Sequence, residues 1–204
     1  MSGTAPHQPA MREELVAFKR ERILEEAVAL FYAHGFTATT LDDIAAALGV
    51  TKPFIYTYFR SKTDLLAAIC KPSIELSLAA ILRAAAHPGG PRERLRMGVI
   101  DFAKAVLSHQ AHIAIFFREE KSLEPAALAE ITGLRKAFDQ ELSKLLAEGV
   151  AAGEFHLKDV SLAALAIGGM ISWAYTWHRP GGRLALDDLC AELADFALAI
   201  AGVT

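Results

Sequence analysis

The chain has 204 residues, of which 53% are hydrophobic, and its formal net charge at pH 7 is −3. This balance excludes a protein that coats nucleic acid through a uniformly basic surface, although a sequence-specific reader needs only a few well-placed cations. The two cysteines, Cys70 and Cys190, show no C-x-x-C spacing. A disulfide framework and a zinc site are therefore not expected, and the reducing cytoplasm is the predicted location.

Two segments bear on membrane association. Residues 1–10 lack the apolar core of a signal peptide, so none is expected. The stretch from Val160 to Trp177 is uncharged and long enough to span a bilayer. It is rich in small residues and has no basic flanks, which favours a buried helix–helix seam in a soluble protein.

The first predicted element is an amphipathic helix from about Met11 to His34, preceded by a loose tail. Gly35 stands where a left-handed residue would end this helix. A short second helix is predicted over Leu41–Leu48, with Thr40 as its N-cap. The apolar stripe of the first helix is Ile23, Leu24, Ala27, Leu30 and Phe31.

A tight turn after Gly49 leads into a third short helix that Thr51 is expected to cap, and this arrangement predicts a helix-turn-helix. Ile55 and Phe59, four residues apart, should pack inward. The opposite face would carry a cation, hydroxyls and apolar rings, which suit phosphates, base edges and a thymine methyl. Its residues are Lys52, Pro53, Tyr56 and Thr57.

Ser61, followed three residues later by Asp64, predicts the start of a fourth helix that Pro72 should bend or break before it ends near Ala86. No strand-like alternation occurs, so the predicted fold is all-α. Further helices are predicted over residues 92–108, 111–118, 125–152, 159–178 and 186–201. The predicted domains are a tail and helix extension (1–18), a helix-turn-helix domain (19–66) and a ligand-binding and dimerisation domain (67–204).

A helix-turn-helix usually binds DNA as a dimer, because a palindromic DNA site requires two recognition helices. The last two helices are the predicted dimer interface. The segment from Val160 to Trp177 is apolar nearly all round, and close helix contact would explain its Gly168-Gly169 pair. The final helix adds a second apolar stripe, although both helices could instead complete the core of one subunit. That stripe is Leu186, Leu189, Leu193, Phe196 and Ile200.

Aromatic, methionine and branched side chains of the middle helices are candidates for a ligand cavity, although residues of these types at helical spacing also build ordinary cores. The candidates are Met97, Phe102, Ile113, Phe116, Phe117, Phe138, Met170, Trp173 and Trp177.

Residues 39–45 (TTLDDIA), 48–52 (LGVTK) and 55–62 (IYTYFRSK) together resemble the DNA-binding signature of the TetR family of repressors, over roughly residues 19 to 70. The resemblance implies that Thr40, Tyr56 and Lys62 hold phosphates, while Tyr58 is either a phosphate contact or part of the core. It also implies an operator-binding homodimer joined by its two terminal helices. The residues implied to face the major groove are Thr51, Lys52, Pro53, Phe54 and Thr57.

Three of these positions, Pro53, Phe54 and Thr57, depart from the commonest family pattern, so the operator sequence cannot be transferred from a relative. Residues 175–184 (YTWHRPGGRL) are similar to a tail in relatives that respond to acyl-coenzyme A thioesters. This similarity implies that Arg179, with Arg118 or Arg135, meets coenzyme A phosphates while the cavity holds the acyl chain. A helix end with solvent-facing arginines is the alternative.

Other functions have weaker support in the sequence. His109 and His112 stand three residues apart near Glu119 and Glu120, so a metal site is an alternative there. However, no H-E-x-x-H motif, P-loop, nucleophile elbow or dinucleotide fingerprint occurs. Neither an enzyme nor a cofactor is therefore expected. A helical carrier that does not bind DNA, an activator and a drug-responsive repressor remain alternatives.

Overall fold

The computed structural model describes residues 7–203, and within that range it contains nine α-helices and no strand. The predicted all-α fold is confirmed. Short 3₁₀ helices follow α6 and α8, at Glu120–Ser122 and Trp173–Thr176. The α-helices are α1 (His7–His34), α2 (Leu41–Leu48), α3 (Lys52–Tyr56), α4 (Lys62–Ala86), α5 (Pro91–Ser108), α6 (Gln110–Glu119), α7 (Pro125–Ala151), α8 (Val160–Ser172) and α9 (Leu186–Ile200).

Two predicted boundaries are wrong. Helix α1 begins at His7 rather than near Met11, so residues 7–10 are helical and not a loose tail; the rest of that tail, residues 1–6, lies outside the described residues. The helix predicted to reach His178 becomes a 3₁₀ turn after Ser172. Helix α8 itself has 13 residues and is shorter than a membrane span.

Pro72 does not break α4, which is assigned without interruption from Lys62 to Ala86. The proline ring is exposed, so it displaces no packed neighbour. The buried hydroxyls that follow are satisfied inside the helix, since Ser73 Oγ donates to the Cys70 carbonyl at 3.1 Å and Ser77 Oγ to the Ser73 carbonyl at 2.8 Å. By length and composition α4 could also cross a membrane, but here it runs through both cores of the fold, against α5 and α7.

The start of α2 is capped as predicted. The Thr40 hydroxyl accepts from the Asp43 amide at 3.1 Å, and Asp43 Oδ2 accepts from the Thr40 amide at 2.7 Å. Gly35 and Gly49 end their helices with positive φ values of 85° and 66°. The prediction for Thr51 is wrong in one respect, since within the described residues its side chain makes no capping hydrogen bond although it occupies the N-cap position.

The buried side chains form two cores, which α4 connects. The amino-terminal core packs α1 to α4 together with residues of α6 and α7, and it includes Ile23, Ala27, Phe31, Ile44, Ile55, Phe59, Leu66, Ile115, Phe116 and Ile131. The carboxy-terminal core lies among α4, α5, α7, α8 and α9, and it includes Ile81, Leu95, Val99, Phe102, Phe138, Leu142, Ile167, Leu189 and Leu193.

Candidate DNA-binding face and ligand cavity

Helix α3 packs one side into the amino-terminal core and presents the other to solvent. Ile55 and Phe59 are almost fully buried, which confirms their predicted inward position. Pro53, Tyr56 and Thr57 are exposed together on the outer face, and half of the Tyr56 surface is accessible. The helix-turn-helix therefore leaves one face of its third helix free for a partner.

Two of the polar side chains on this face, Lys52 and Thr57, already have partners. Lys52 Nζ lies 2.7 Å from Asp42 Oδ2, and this hydrogen bond raises the pKa of Lys52. The Thr57 hydroxyl donates to the Phe54 carbonyl at 2.7 Å. Lys52 remains charged, but its field on the outer face is partly cancelled by a carboxylate.

Phe54, expected to face the major groove, and Tyr58, expected either to contact a phosphate or to join the core, are half-buried and pack against the amino-terminal core. Their rings lie 5.3 Å apart. The Lys19 ammonium stands 5.9 Å from the Phe54 ring, and the Arg20 guanidinium 4.8 Å from the Phe59 ring. The sequence analysis did not predict that these two cations lie beside α3, the recognition helix. Their position just before the buried stripe of α1 was the signal that could have indicated it.

Lys62, expected to hold a phosphate, has other partners in the free protein. Its ammonium donates to the carbonyls of Phe36 at 2.8 Å and Thr39 at 2.9 Å, and it lies 4.3 Å from the Phe36 ring. These atoms belong to the junction turn, residues 35–39, which joins α1 to α2. In the free protein Lys62 therefore holds the entry to the helix-turn-helix, because three carbonyls of the turn converge on its donors.

A cavity of about 290 Å³ lies among α4, α5, α6, α7 and α8. Six of the predicted residues line it: Phe102, Ile113, Phe116, Phe117, Phe138 and Trp173. The wall residues that the sequence did not single out as cavity lining are Ile74, Ser77, Val106, Arg135, Asp139, Leu165, Gly168, Gly169 and Ser172. Helical spacing could have found some of these, since Arg135 and Asp139 lie within one turn of Phe138.

Four predicted cavity residues lie elsewhere. Met170 packs against the carboxy-terminal core, and Met97 lies half-buried on α5. Trp177 and Arg179 lie beyond the end of α8, where they line a second cavity of about 340 Å³ together with Arg183. The sequence analysis did not separate the two cavities, because it predicted one continuous helix where a 3₁₀ turn follows Ser172.

The wall of the main cavity is mostly apolar, and its two charged side chains, Arg135 and Asp139, both lie on α7. Burial raises the pKa of Asp139, and the Arg135 guanidinium acts in the opposite direction. Arg135 stands 5.6 Å from the Phe116 ring and 4.0 Å from Glu120 Oε2. The wall thus offers a ligand aromatic surfaces with one cation and one carboxyl group at its polar side.

Helix α6 touches both functional regions. The Phe116 ring lines the cavity and is also buried in the amino-terminal core. At the end of the same helix, the Arg118 guanidinium donates to the carbonyls of Phe31 and Tyr32, and Glu119 Oε1 accepts from the Phe36 amide at 3.3 Å. One helix therefore joins the cavity wall to the last turn of α1 and the junction turn.

The exposed side of α8 is apolar: Leu162 is 64% exposed and Trp173, just after the helix, is 58% exposed. The predicted stripe of α9 is only partly available, since Leu189 and Leu193 are buried in the subunit's own core while Leu186 and Ile200 pack against it. Phe196 remains outside, at 55% exposure.

His109 and His112 form an edge-to-face pair with ring centroids 5.7 Å apart. Burial, and secondarily His109, lower the pKa of His112. Glu119 is engaged with Arg118 and the junction turn. Across residues 7–203 no group of three or more histidine, cysteine or acidic side chains is placed to hold a metal, so the structure offers no support for the alternative metal site.

Comparisons with known proteins agree with this arrangement. Residues 23–69 match the family model for bacterial regulatory proteins of the tetR family, and residues 88–201 match the tetracyclin repressor-like C-terminal domain. Over 206 residues the chain is 25% identical to the HTH-type transcriptional repressor KstR2 of Mycolicibacterium smegmatis, covering 100% of this chain and 96% of that protein.

Two solved structures extend the likeness. The TetR family transcriptional regulator PfmR from Thermus thermophilus has a TM-score of 0.81 and 31% identity, over 87% of this chain and 97% of that one. AibR, crystallised in complex with isovaleryl coenzyme A and operator DNA, has a TM-score of 0.74 and 27% identity, over 89% of this chain and 96% of that one.

Proposed function

The chain belongs to the TetR family of helix-turn-helix transcriptional regulators, and on that premise we propose that it is a cytoplasmic, non-catalytic repressor that binds palindromic operator DNA as a homodimer. A small-molecule effector in the main cavity releases it from DNA. The observation that carries this proposal is the position of Phe116, whose ring is shared between the cavity wall and the core beneath the recognition helix.

The shared ring suggests how the two sites communicate. A ligand that fills the cavity presses on Phe116 and Phe117 and so shifts α6. Because Arg118 and Glu119 hold the last turn of α1 and the junction turn, the shift reaches the helix-turn-helix directly. Helix α4, which passes through both cores, provides a second connection. Such a ligand acts only through its different affinity for the DNA-binding and released states.

The homodimer uses the exposed apolar side of α8. Leu162 and Leu165 are exposed on α8, Trp173 is exposed just after it, and Phe196 supplies an exposed ring on α9. Exposed large apolar side chains that lie together are typical of an interaction surface. Gly169 is exposed and has no side chain, so a second helix can approach its backbone closely. Within this subunit a Cβ at Gly169 would meet no atom within 4 Å, so the space beside it is open.

The effector we propose is an acyl-coenzyme A thioester. The main cavity, with its aromatic wall, suits an acyl chain, whereas Arg179 and Arg183 in the second cavity suit coenzyme A phosphates. The cavity of about 290 Å³ is at the lower limit of ligand pockets, which hold about 300–1,000 Å³. It therefore takes the acyl group alone, and the nucleotide lies outside. The isovaleryl coenzyme A complex of AibR supports this class of effector.

The test is fluorescence anisotropy with labelled DNA from the region upstream of the protein's own gene. We expect saturable binding, and competitor DNA of unrelated sequence should not displace the protein. Acyl-coenzyme A thioesters of increasing chain length are then added, with free coenzyme A and free fatty acids as matched controls. Release by thioesters alone supports the proposal. Specific binding with no release by any thioester would refute the effector class and leave the regulator.

A further inference from the structure

The outer face of the recognition helix is unusual in what it lacks. Residues 51–58 (TKPFIYTY) contain no Arg, Asn or Gln. These are the side chains that form bidentate hydrogen bonds to guanine or adenine in the major groove. Any sequence specificity of this helix must therefore rest on Lys52, on hydroxyl groups or on apolar contacts.

The structure weakens the first two sources. Lys52 is paired with Asp42 at 2.7 Å, so one of its three donors is already engaged and its charge is partly offset by the carboxylate. The Thr57 hydroxyl donates its proton to the Phe54 carbonyl at 2.7 Å, which leaves its oxygen only as an acceptor for a base. Thr51 is exposed at the N-cap of α3, where a hydroxyl suits a phosphate.

The apolar groups remain. Tyr56 and Thr57 lie one helical turn after Pro53, and all three residues are exposed. The outer face therefore carries a pyrrolidine ring, an aromatic ring and a threonine methyl group. In the major groove the complementary apolar group is the C5-methyl of thymine, which no other base carries.

We propose, resting on the function proposed above, that this protein recognises its operator chiefly by thymine methyl groups, which Pro53, Tyr56 and Thr57 contact. The Tyr56 hydroxyl stays available for a phosphate, while its ring packs on the methyl. Lys19 and Arg20, held by the Phe54 and Phe59 rings, add backbone affinity without sequence preference.

Replacement of single thymines by uracil tests this directly, because uracil lacks only the C5-methyl. The binding site is first located by footprinting on the upstream DNA. Duplexes with one uracil each are then compared at constant salt. We expect a loss of about three- to fourfold in affinity at each contacted thymine, the value for removing one buried methyl group. Uracil outside the footprint is the control and should have no effect.

Protein variants assign the contact. In Tyr56→Ala and Pro53→Ala the uracil penalty should disappear at the position that each residue touches. In Tyr56→Phe it should persist, since the ring remains and only the hydroxyl is lost. Both Pro53 and Tyr56 are exposed, so the fold should be unaffected.

Two results would overturn the inference alone. One is specific binding that is unchanged by uracil at every position. The other is a penalty confined to 7-deazaguanine duplexes, which lack the guanine acceptor that Lys52 would read. Failure to bind the unmodified DNA specifically would instead overturn the proposed function, and this inference with it.

Discussion

The two cores of this molecule differ in what lies at their edges. The amino-terminal core is fixed at its edges by backbone-directed hydrogen bonds: the capping box of Thr40 and Asp43, and the Lys62 ammonium on the junction turn. The carboxy-terminal core instead borders a cavity of about 290 Å³ whose wall includes Gly168 and Gly169.

This difference fits the two tasks we propose. A DNA-reading helix must keep its position, because its contacts depend on fixed geometry. A sensor must change when a ligand enters, and side chains that border empty space lose part of their packing, which leaves them easier to move. Helix α6 lies between the two, with Phe116 in both.

The largest expected effect compares a phenylalanine of the amino-terminal core with Phe117, which borders the cavity and packs against both cores. Phe59→Ala removes a fully buried ring from the amino-terminal core and should lower the free energy of unfolding by about 3–5 kcal/mol. Phe117→Ala should cost about half as much, because part of that ring already faces the cavity. Urea denaturation of both variants measures the difference. Equal losses would contradict the contrast between the two cores.

The second effect concerns the connection between α6 and the last turn of α1. Arg118→Met removes the donors to the Phe31 and Tyr32 carbonyls but keeps the length of the side chain. We expect a stability loss on the order of 1 kcal/mol, since the side chain is 44% exposed and screened by solvent. Amide hydrogen exchange over residues 35–40 should accelerate, and effector-driven DNA release should weaken.

Arg135→Met is the matched control for Arg118→Met, because it removes the other arginine near Phe116 without touching α1. It should leave exchange in the junction turn unchanged. If both variants accelerate exchange equally, the effect is a general loosening of the cavity wall and α6 does not carry the signal.

The third effect separates two roles of Lys62. Lys62→Met should loosen the junction turn, because the Phe36 and Thr39 carbonyls lose their donor. If the ammonium also meets a phosphate when DNA is bound, the slope of log affinity against log salt should fall by about one. We expect the slope to stay constant, since the turn already occupies the donors. A reduced slope would restore the phosphate contact implied by the family resemblance.

The helix-turn-helix and the cavity also differ in how much of each could be predicted from the sequence. The bounds of α2 and the inward position of Ile55 follow from caps and spacing, which are local signals. Only six of the fifteen cavity-wall residues were predicted, because others, such as Ile74 and Ser77, are brought to the wall by the packing of distant helices. The partners of Lys62 and the ion pair of Lys52 with Asp42 were out of reach for the same reason.

The smallest expected effect lies at the cap of α2. Hydrogen bonds from Thr40 lower the pKa of Asp43 below its ordinary value of 3.8. A carboxyl group whose pKa is lowered by folding stabilises the protein above its unfolded pKa, and this contribution is lost as the pH falls through the folded value. The urea midpoints of the wild type and Asp43→Asn should therefore differ at neutral pH and converge below about pH 3.8.

Asp42→Asn is the control, because it removes a charge from the same helical turn without touching the capping box. Its difference from the wild type should be smaller at neutral pH, since an exposed ion pair contributes little. If instead Asp42→Asn and Asp43→Asn behaved alike at every pH, the negative charge near the helix N-terminus would be what matters. The edges of the amino-terminal core would then rest on the helix dipole rather than on the directed hydrogen bonds that distinguish it from the cavity-bearing core.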